Sequence, residues 1–352
     1  MTSSSLPGPM PVALLAILAW WASPAPSPMA SPAPRAAQLT VASPAPRAAQ
    51  LTVASPAPWA AQLTAAATAP GAAPTSGAAL PVQAAGAPTE AEARARYPWP
   101  RRRAGYEPIS ARFPAPRGFV RVSLEAGSYA LWLRHLPLLG PGTSVRDYAG
   151  AVLPSSTAAA AAVVDLDVGK RDLQQCMDTL IRLRGEYLWW QRQAHRASFR
   201  YAGGRYFGYA DWARGIRPVK KGPRIVFEKT ARAWSSRQSF EKYLVFMFAM
   251  TGTAHNVAEP QVPFARLEAG HFFVQPPPGP GALGHAVVIL DVARNASGEV
   301  RALLGEGYTP AQDMHVLRAP GGGAWYRLVP GRGVKTPLWP EFSWAELRRF
   351  RH

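Results

Sequence analysis

An α+β domain, with helices first and an antiparallel sheet after them, is the fold class this chain predicts. Three observations carry that expectation. The strongest helical pattern, 172–193, lies in the middle of the chain. The last third breaks into short β-branched and aromatic runs bounded by Gly, Pro and Asn. Those runs follow one another at hairpin distances, without the intervening helices that a parallel sheet needs.

The elements are read in chain order. Residues 11–21, Pro-Val-Ala-Leu-Leu-Ala-Ile-Leu-Ala-Trp-Trp, are apolar and followed by Ala22-Ser23. The run is too short to span a bilayer comfortably. It reads as the h-region and cleavage zone of a secretory signal over 1–25, although no Lys or Arg precedes Arg35. No later stretch is long enough to cross a membrane, so no span is expected in the mature chain. A unit beginning Ala30-Ser-Pro-Ala-Pro-Arg and ending at Val41 recurs from Ala42, and again from Ala54 with Trp59 in place of the arginine. Its Ala, Pro and Ser cannot bury enough surface to offset the entropy of ordering. Residues 26–95 are therefore expected to be a disordered linker, and 96–352 a single domain.

Within that domain, Val120 to Val122 reads as a short strand, and Gly127–His135 as a helix capped by Ser128. Residues 155–163 are low-complexity alanine, and Val163–Val168 is a strand or an extended lead-in. Asp172 is the expected N-cap of the main helix, with Gln175 completing a capping box and Cys176, Leu180, Leu183, Tyr187 and Trp190 at helical spacing. The aromatic, glycine-interrupted segment 199–212 reads as turns or a hairpin, and Arg217–Arg224 as a basic loop. A buried helix follows, capped by Ser236 or Ser239. Strands are then expected over 270–275, 285–293, 300–304, 315–317 and 325–328.

Charge and cysteine usage bound the function. Of the formal net charge of +18, residues 1–94 supply only +1, from Arg35, Arg47 and Arg94 against Glu90 and Glu92. The basic domain suits an acidic partner, here an anionic cell-envelope polymer, or a peptide substrate. Its cations are scattered and accompany no helix-turn-helix, zinc-finger or RNA-binding signature, which argues against nucleic acid. The chain has a single cysteine, so it can form no internal disulfide and no cysteine-based zinc site. The histidines lack HxH and HExxH spacing, and neither a metal nor another cofactor is expected.

The lone cysteine and the later Gly284-His285 strand entry suggest one chemistry. A thiol attacks as thiolate, which needs a helix N-terminus and a nearby imidazole. Cys176 is then the candidate nucleophile, His285 the base, and Glu306 the residue that orients the imidazole. The competing reading is a buried structural thiol: capped by Asp172, Cys176 would be the fourth helical residue, beyond most of the dipole effect and on the apolar stripe.

Several motifs carry a resemblance. They are Phe113-Pro-x-Pro-x-Gly-Phe-x-Arg121, Trp132-Leu-Arg-x-Leu-Pro-Leu138, Asp172-Leu-Gln-Gln-Cys-x-Asp178, Arg182-Leu-Arg-x-Glu-Tyr187, Gly284-His-Ala-Val-Val-x-x-Asp291 and Tyr308-x-Pro-Ala-Gln-x-x-His-Val-Leu317. In this order they resemble a bacterial family catalogued as domain of unknown function 4846, across roughly 106–330. That family has Gly-Asp where this chain has Gly270-His271, and glutamine where it has Glu306. The resemblance brings no activity with it. At the level of element order, the chain is also similar to papain-like and cell-wall amidopeptidase-type Cys-His hydrolases. The expectation is an exported protein of the periplasm, envelope or extracellular space that hydrolyses a peptide or cell-wall amide bond. The alternative is a non-catalytic envelope-binding or structural domain that uses its aromatic segment and positive surface.

Overall fold

The computed structural model describes residues 86–99, 106–201 and 204–351. The expected signal over 1–25 and the repeats of the linker lie outside the described residues. The end of the expected linker does not. Glu90–Arg96 forms helix α1, capped by Thr89, and Ala93 is fully buried in the main core. The packed region thus starts before residue 96, because Ala93, Tyr97 and Trp99 supply apolar surface that the polar count of this stretch conceals.

The class is α+β. An eight-stranded antiparallel sheet is built from β1 (Val120–Arg121), β2 (Ala160–Val163), β3 (Phe272–Gln275), β4 (His285–Arg294), β5 (Val300–Glu306), β6 (His315–Leu317), β7 (Trp325–Leu328) and β8 (Leu347–Arg348). Its order is β8-β3-β4-β5-β6-β2, with β1 pairing β4 and β7 pairing β5. The long central hairpin β4–β5 turns at Asn295–Gly298, where Asn295 accepts from the Glu299 N–H and Gly298 takes a left-handed φ of 81°. Two helices preceding the hairpin lie against one face: α2 (Tyr129–Arg134, capped by Ser128) and α3 (Cys176–Trp190). A further helix, α4 (Arg237–Met250), is capped by Ser236 and packs on α3.

Three local readings are corrected. The alanine run becomes a helix over 154–159 followed by β2, whose pairing with β6 overrides the weak strand preference of alanine. The basic loop is a two-stranded ribbon, Ile216–Lys221 with Arg224–Lys229, one face of which carries Ile216, Ile225 and Phe227 onto the core. The main helix begins at Cys176, not after Asp172. The Asp172 carboxylate accepts from the Ala311 N–H and from Gln175 Nε2, so it is committed elsewhere. Gln175 is the N-cap, and Asp178 accepts the Gln175 N–H.

β4 separates two cores. Ala286, Val288 and Leu290 join Cys176 and Leu180 on the helix side, whereas Val287 and Ile289 join Phe273, Leu304 and Phe342 on the other. A bulge between Ile289 and Asp291 resets this alternation, and Val292 falls on the second side. The same bulge aims fully buried Asp291 at two arginines. Its Oδ1 accepts from Arg134 of α2 at 2.8 Å and its Oδ2 from Arg121 of β1 at 2.7 Å. The pair of ion pairs ties a helix and an edge strand to the sheet centre. Asp291→Ala leaves two desolvated guanidinium groups without a counter-charge. It should lower the unfolding free energy by about 3–5 kcal/mol in urea titration, and a loss under ~1 kcal/mol would show that the cluster is dispensable.

Candidate active site

Cys176 is the first residue of α3, where helix N–H groups point outward and the dipole favours a thiolate. The positional objection raised by the sequence, a cysteine one turn too deep, disappears. The burial objection does not. Cys176 is 7 % exposed and belongs to the helix-side core. Burial, and then the neighbouring Asp178 carboxyl, push its thiol up to about 12. Asp178 is itself buried, and desolvation raises it well above the usual carboxylate range.

The sulfur sits against the first residues of β4. Sγ lies 4.0 Å from the Gly284 carbonyl oxygen. The Ala286 N–H also faces it and favours its anionic form. These two residues flank His285. The His285 ring leaves the strand on the second face, packed by Tyr308, Trp339 and Phe342 with centroids at 4.9, 5.0 and 6.0 Å. Among the described residues no hydrogen bond joins the Cys176 sulfur to this ring.

The other pairing is direct. Nε2 of His285 is 2.8 Å from Oε2 of Glu306, the last residue of β5, and both groups are buried. Burial would raise the Glu306 carboxyl, but the contacts of His285 and His315 outweigh it and hold the carboxyl below its ordinary value. Nδ1 of His285 has no hydrogen-bond partner among the described residues, which leaves it available as a base.

Close packing and hydrogen bonds bring these elements together. A side chain at Gly307 would meet Thr179 Oγ1 at 2.3 Å and the Gln175 carbonyl at 3.2 Å, so the first turn of α3 rests directly on the end of β5. Downstream, Thr309 Oγ1 donates to Gln175 Oε1, and the Ala311 N–H donates to Asp172, tying the loop after β5 to the entry of α3. Sequence reasoning missed two members of this cluster. Gln175 was read as the closing member of a capping box that does not form. His315, whose Nε2 stands 3.5 Å from Glu306 Oε1, falls in no HxH or HExxH spacing. Its pairing in register with Glu306 across β5 and β6 gave no spacing signal in the sequence.

Two surface clefts lie elsewhere. One, of about 620 Å³, is bounded by Trp189, Trp190 and Arg192; the other is bounded by Asp167, Lys170, Arg182 and Glu241. Neither is lined by Cys176, His285 or Glu306. Among the described residues no group of three His, Cys, Asp or Glu side chains is arranged to hold a metal ion, and no helix is long and apolar enough to cross a membrane.

The contact at Gly307 generates a coupled prediction. Gly307→Ala should cost about 1–3 kcal/mol of stability through overpacking. Adding Thr179→Ala to the same chain should recover part of that loss in urea unfolding, and strict additivity of the two substitutions would contradict the packing described.

The motifs quoted from the sequence agree with a direct comparison. The family model described as domain of unknown function (4846) matches residues 109–349. No curated protein and no solved structure matches the chain. With two thirds of its length covered, from residue 109 ahead of β1 to the end of β8, the chain belongs to the family of domain of unknown function 4846.

Proposed function

We propose that this domain is a Cys-His hydrolase of peptide or cell-wall amide bonds, working in the envelope after export. The observation that carries this reading is the convergence of three groups at one end of the β4–β5 hairpin. These are a cysteine at the first position of α3, the histidine that opens β4, and a carboxylate on the ring nitrogen remote from the free one. Helix first and antiparallel sheet after it is also the order of papain-like enzymes, and that finer description of the fold belongs to the same proposal.

The reaction would begin with transfer of the Cys176 thiol proton to Nδ1 of His285. The thiolate attacks the amide carbonyl carbon, and the oxyanion accepts from the Cys176 N–H and from the side-chain amide N–H of Gln175 at the helix N-terminus. His285 then returns the proton to the departing amine as the C–N bond breaks. Water, deprotonated by the same ring, hydrolyses the thioester and restores the thiol. Glu306 stays ionised, holds the ring through Nε2 and stabilises the imidazolium. Sulfur and ring are not hydrogen-bonded in the resting arrangement and lie on opposite faces of β4; the reading requires the entry of β4 to shift on substrate arrival and bring Nδ1 to the sulfur, as catalytic contacts often tighten only in the complex.

The second reading is a non-catalytic envelope domain, favoured by the burial of the sulfur and its raised thiol. Thiol reactivity separates the two. In the hydrolase, iodoacetamide labels native Cys176 at neutral pH, far below the value near 12 that burial sets in the resting arrangement, and His285→Ala moves the labelling midpoint upward. Labelling that needs prior unfolding supports the non-catalytic reading. Activity gives the complementary check. Mass spectrometry of purified peptidoglycan or a peptide library treated with the protein should show new amine termini, which Cys176→Ala abolishes by at least about 10³-fold while circular dichroism is unchanged.

A further inference from the structure

Glu306 touches two imidazoles, and the hydrolase reading uses only one of them. Glu306 and His315 face each other across β5 and β6, and both are fully buried. Nδ1 of His315 lies 3.2 Å from the main-chain carbonyl oxygen of Asp313. A carbonyl oxygen can only accept, so Nδ1 carries the hydrogen. Nε2 is then the nitrogen that stands 3.5 Å from Glu306 Oε1. A lone pair on Nε2 would face the lone pairs of the carboxylate and repel them. The contact is attractive when Nε2 also carries a proton and the ring is an imidazolium.

We propose that His315 is a positioning residue of the candidate site: as an imidazolium it anchors and neutralises the Glu306 carboxylate. The proposal rests on the hydrolase reading and adds to it. An uncompensated Glu306 would hold His285 equally well through Oε2, but its charge would oppose a thiolate on Cys176. The buried carboxylate already counts among the groups that disfavour that thiolate. With His315 paired to the other oxygen, Glu306 can orient the base without repelling the nucleophile. Among the described residues, Tyr308 beyond β5 and Tyr326 of β7 also feel the Glu306 charge, each raised first by burial and then by that charge. Asp178 on α3 also disfavours the thiolate of Cys176.

The test measures the rate of iodoacetamide labelling of Cys176 against pH. It uses the full chain as wild type, His315→Gln, Glu306→Gln and the double variant, each checked for native circular dichroism. His315→Gln should raise the labelling midpoint by about one pH unit. On the Glu306→Gln background the same substitution should shift it by nothing measurable, because no charge is left to balance. An unmoved midpoint in natively folded His315→Gln overturns the proposal, as does an equal shift with and without the carboxylate. A merely structural role would lower stability without this charge-dependent coupling. If His315→Gln does not fold, the ring ¹⁵N shifts of wild-type His315 at about pH 7.5, above the ordinary histidine value of ~6.5, decide the matter. Two protonated-type nitrogens are expected, and a neutral ring overturns the proposal. Wild-type protein that labels only after unfolding overturns the hydrolase reading itself and is distinguishable from all of these outcomes.

Discussion

The candidate site depends on one close contact, the seating of the first turn of α3 on the end of β5 at Gly307. Gly307 brings no side chain of its own: a Cβ there would collide with Thr179 Oγ1, which itself donates to the Gln175 carbonyl. This contact sets the depth of the helix against the sheet, and so places the Cys176 sulfur at the Gly284 carbonyl. Glycine at 284 serves the same end. A side chain there would lie 2.4 Å from the Gln275 carbonyl oxygen, so β3 and β4 close together beside the site. The helix N-terminus, the start of β4 and the end of β5 are thereby fixed relative to one another before any side-chain chemistry is considered.

Buried charge follows a consistent pattern. Asp291 is fully buried, and each of its oxygens is met by a different arginine. Glu186 on α3 is likewise buried, and although burial would raise it, Arg182 and Arg237 hold its carboxyl below the ordinary range. Each of these carboxylates has full counter-charges, as the cost of desolvating an ion requires. Glu306 differs in having histidines as its partners, whose charge depends on pH. The carboxylates that hold the fold together are paired with permanent cations, and the carboxylate at the candidate site is paired with switchable ones. That contrast separates the site from the scaffold on electrostatic grounds.

Much of the frame was legible in the sequence. The strands over 272–275, 285–294, 300–306, 315–317 and 325–328 announce themselves by β-branched runs between Gly, Pro and Asn. Ser128 and Ser236 cap the helices expected of them. What was not legible depended on tertiary partners. Asp172 looks like an N-cap, but the Ala311 N–H, 139 residues away, claims its carboxylate, and the helix start moves to Cys176. The ribbon at 216–229 looks like a loop because Pro218, Gly222 and Pro223 interrupt it. Its strand character comes from the pairing and from Phe227 packing against Tyr201 and Phe207. The histidine at 285 and the glutamate at 306 stood out from their glycine neighbours, whereas His315 became meaningful only when β5 and β6 were seen in register.

The central claim is that this hairpin end supports a covalent step on Cys176, and a trapped intermediate tests it most directly. The full-length protein is mixed with a peptidyl nitrophenyl ester, quenched in acid during turnover, and its intact and proteolysed masses are recorded. The account predicts a transient gain equal to the acyl group, confined to the peptide that contains Cys176 and lost as hydrolysis completes. An adduct spread over lysines, or none at the cysteine while the ester is consumed no faster than in buffer, would contradict it.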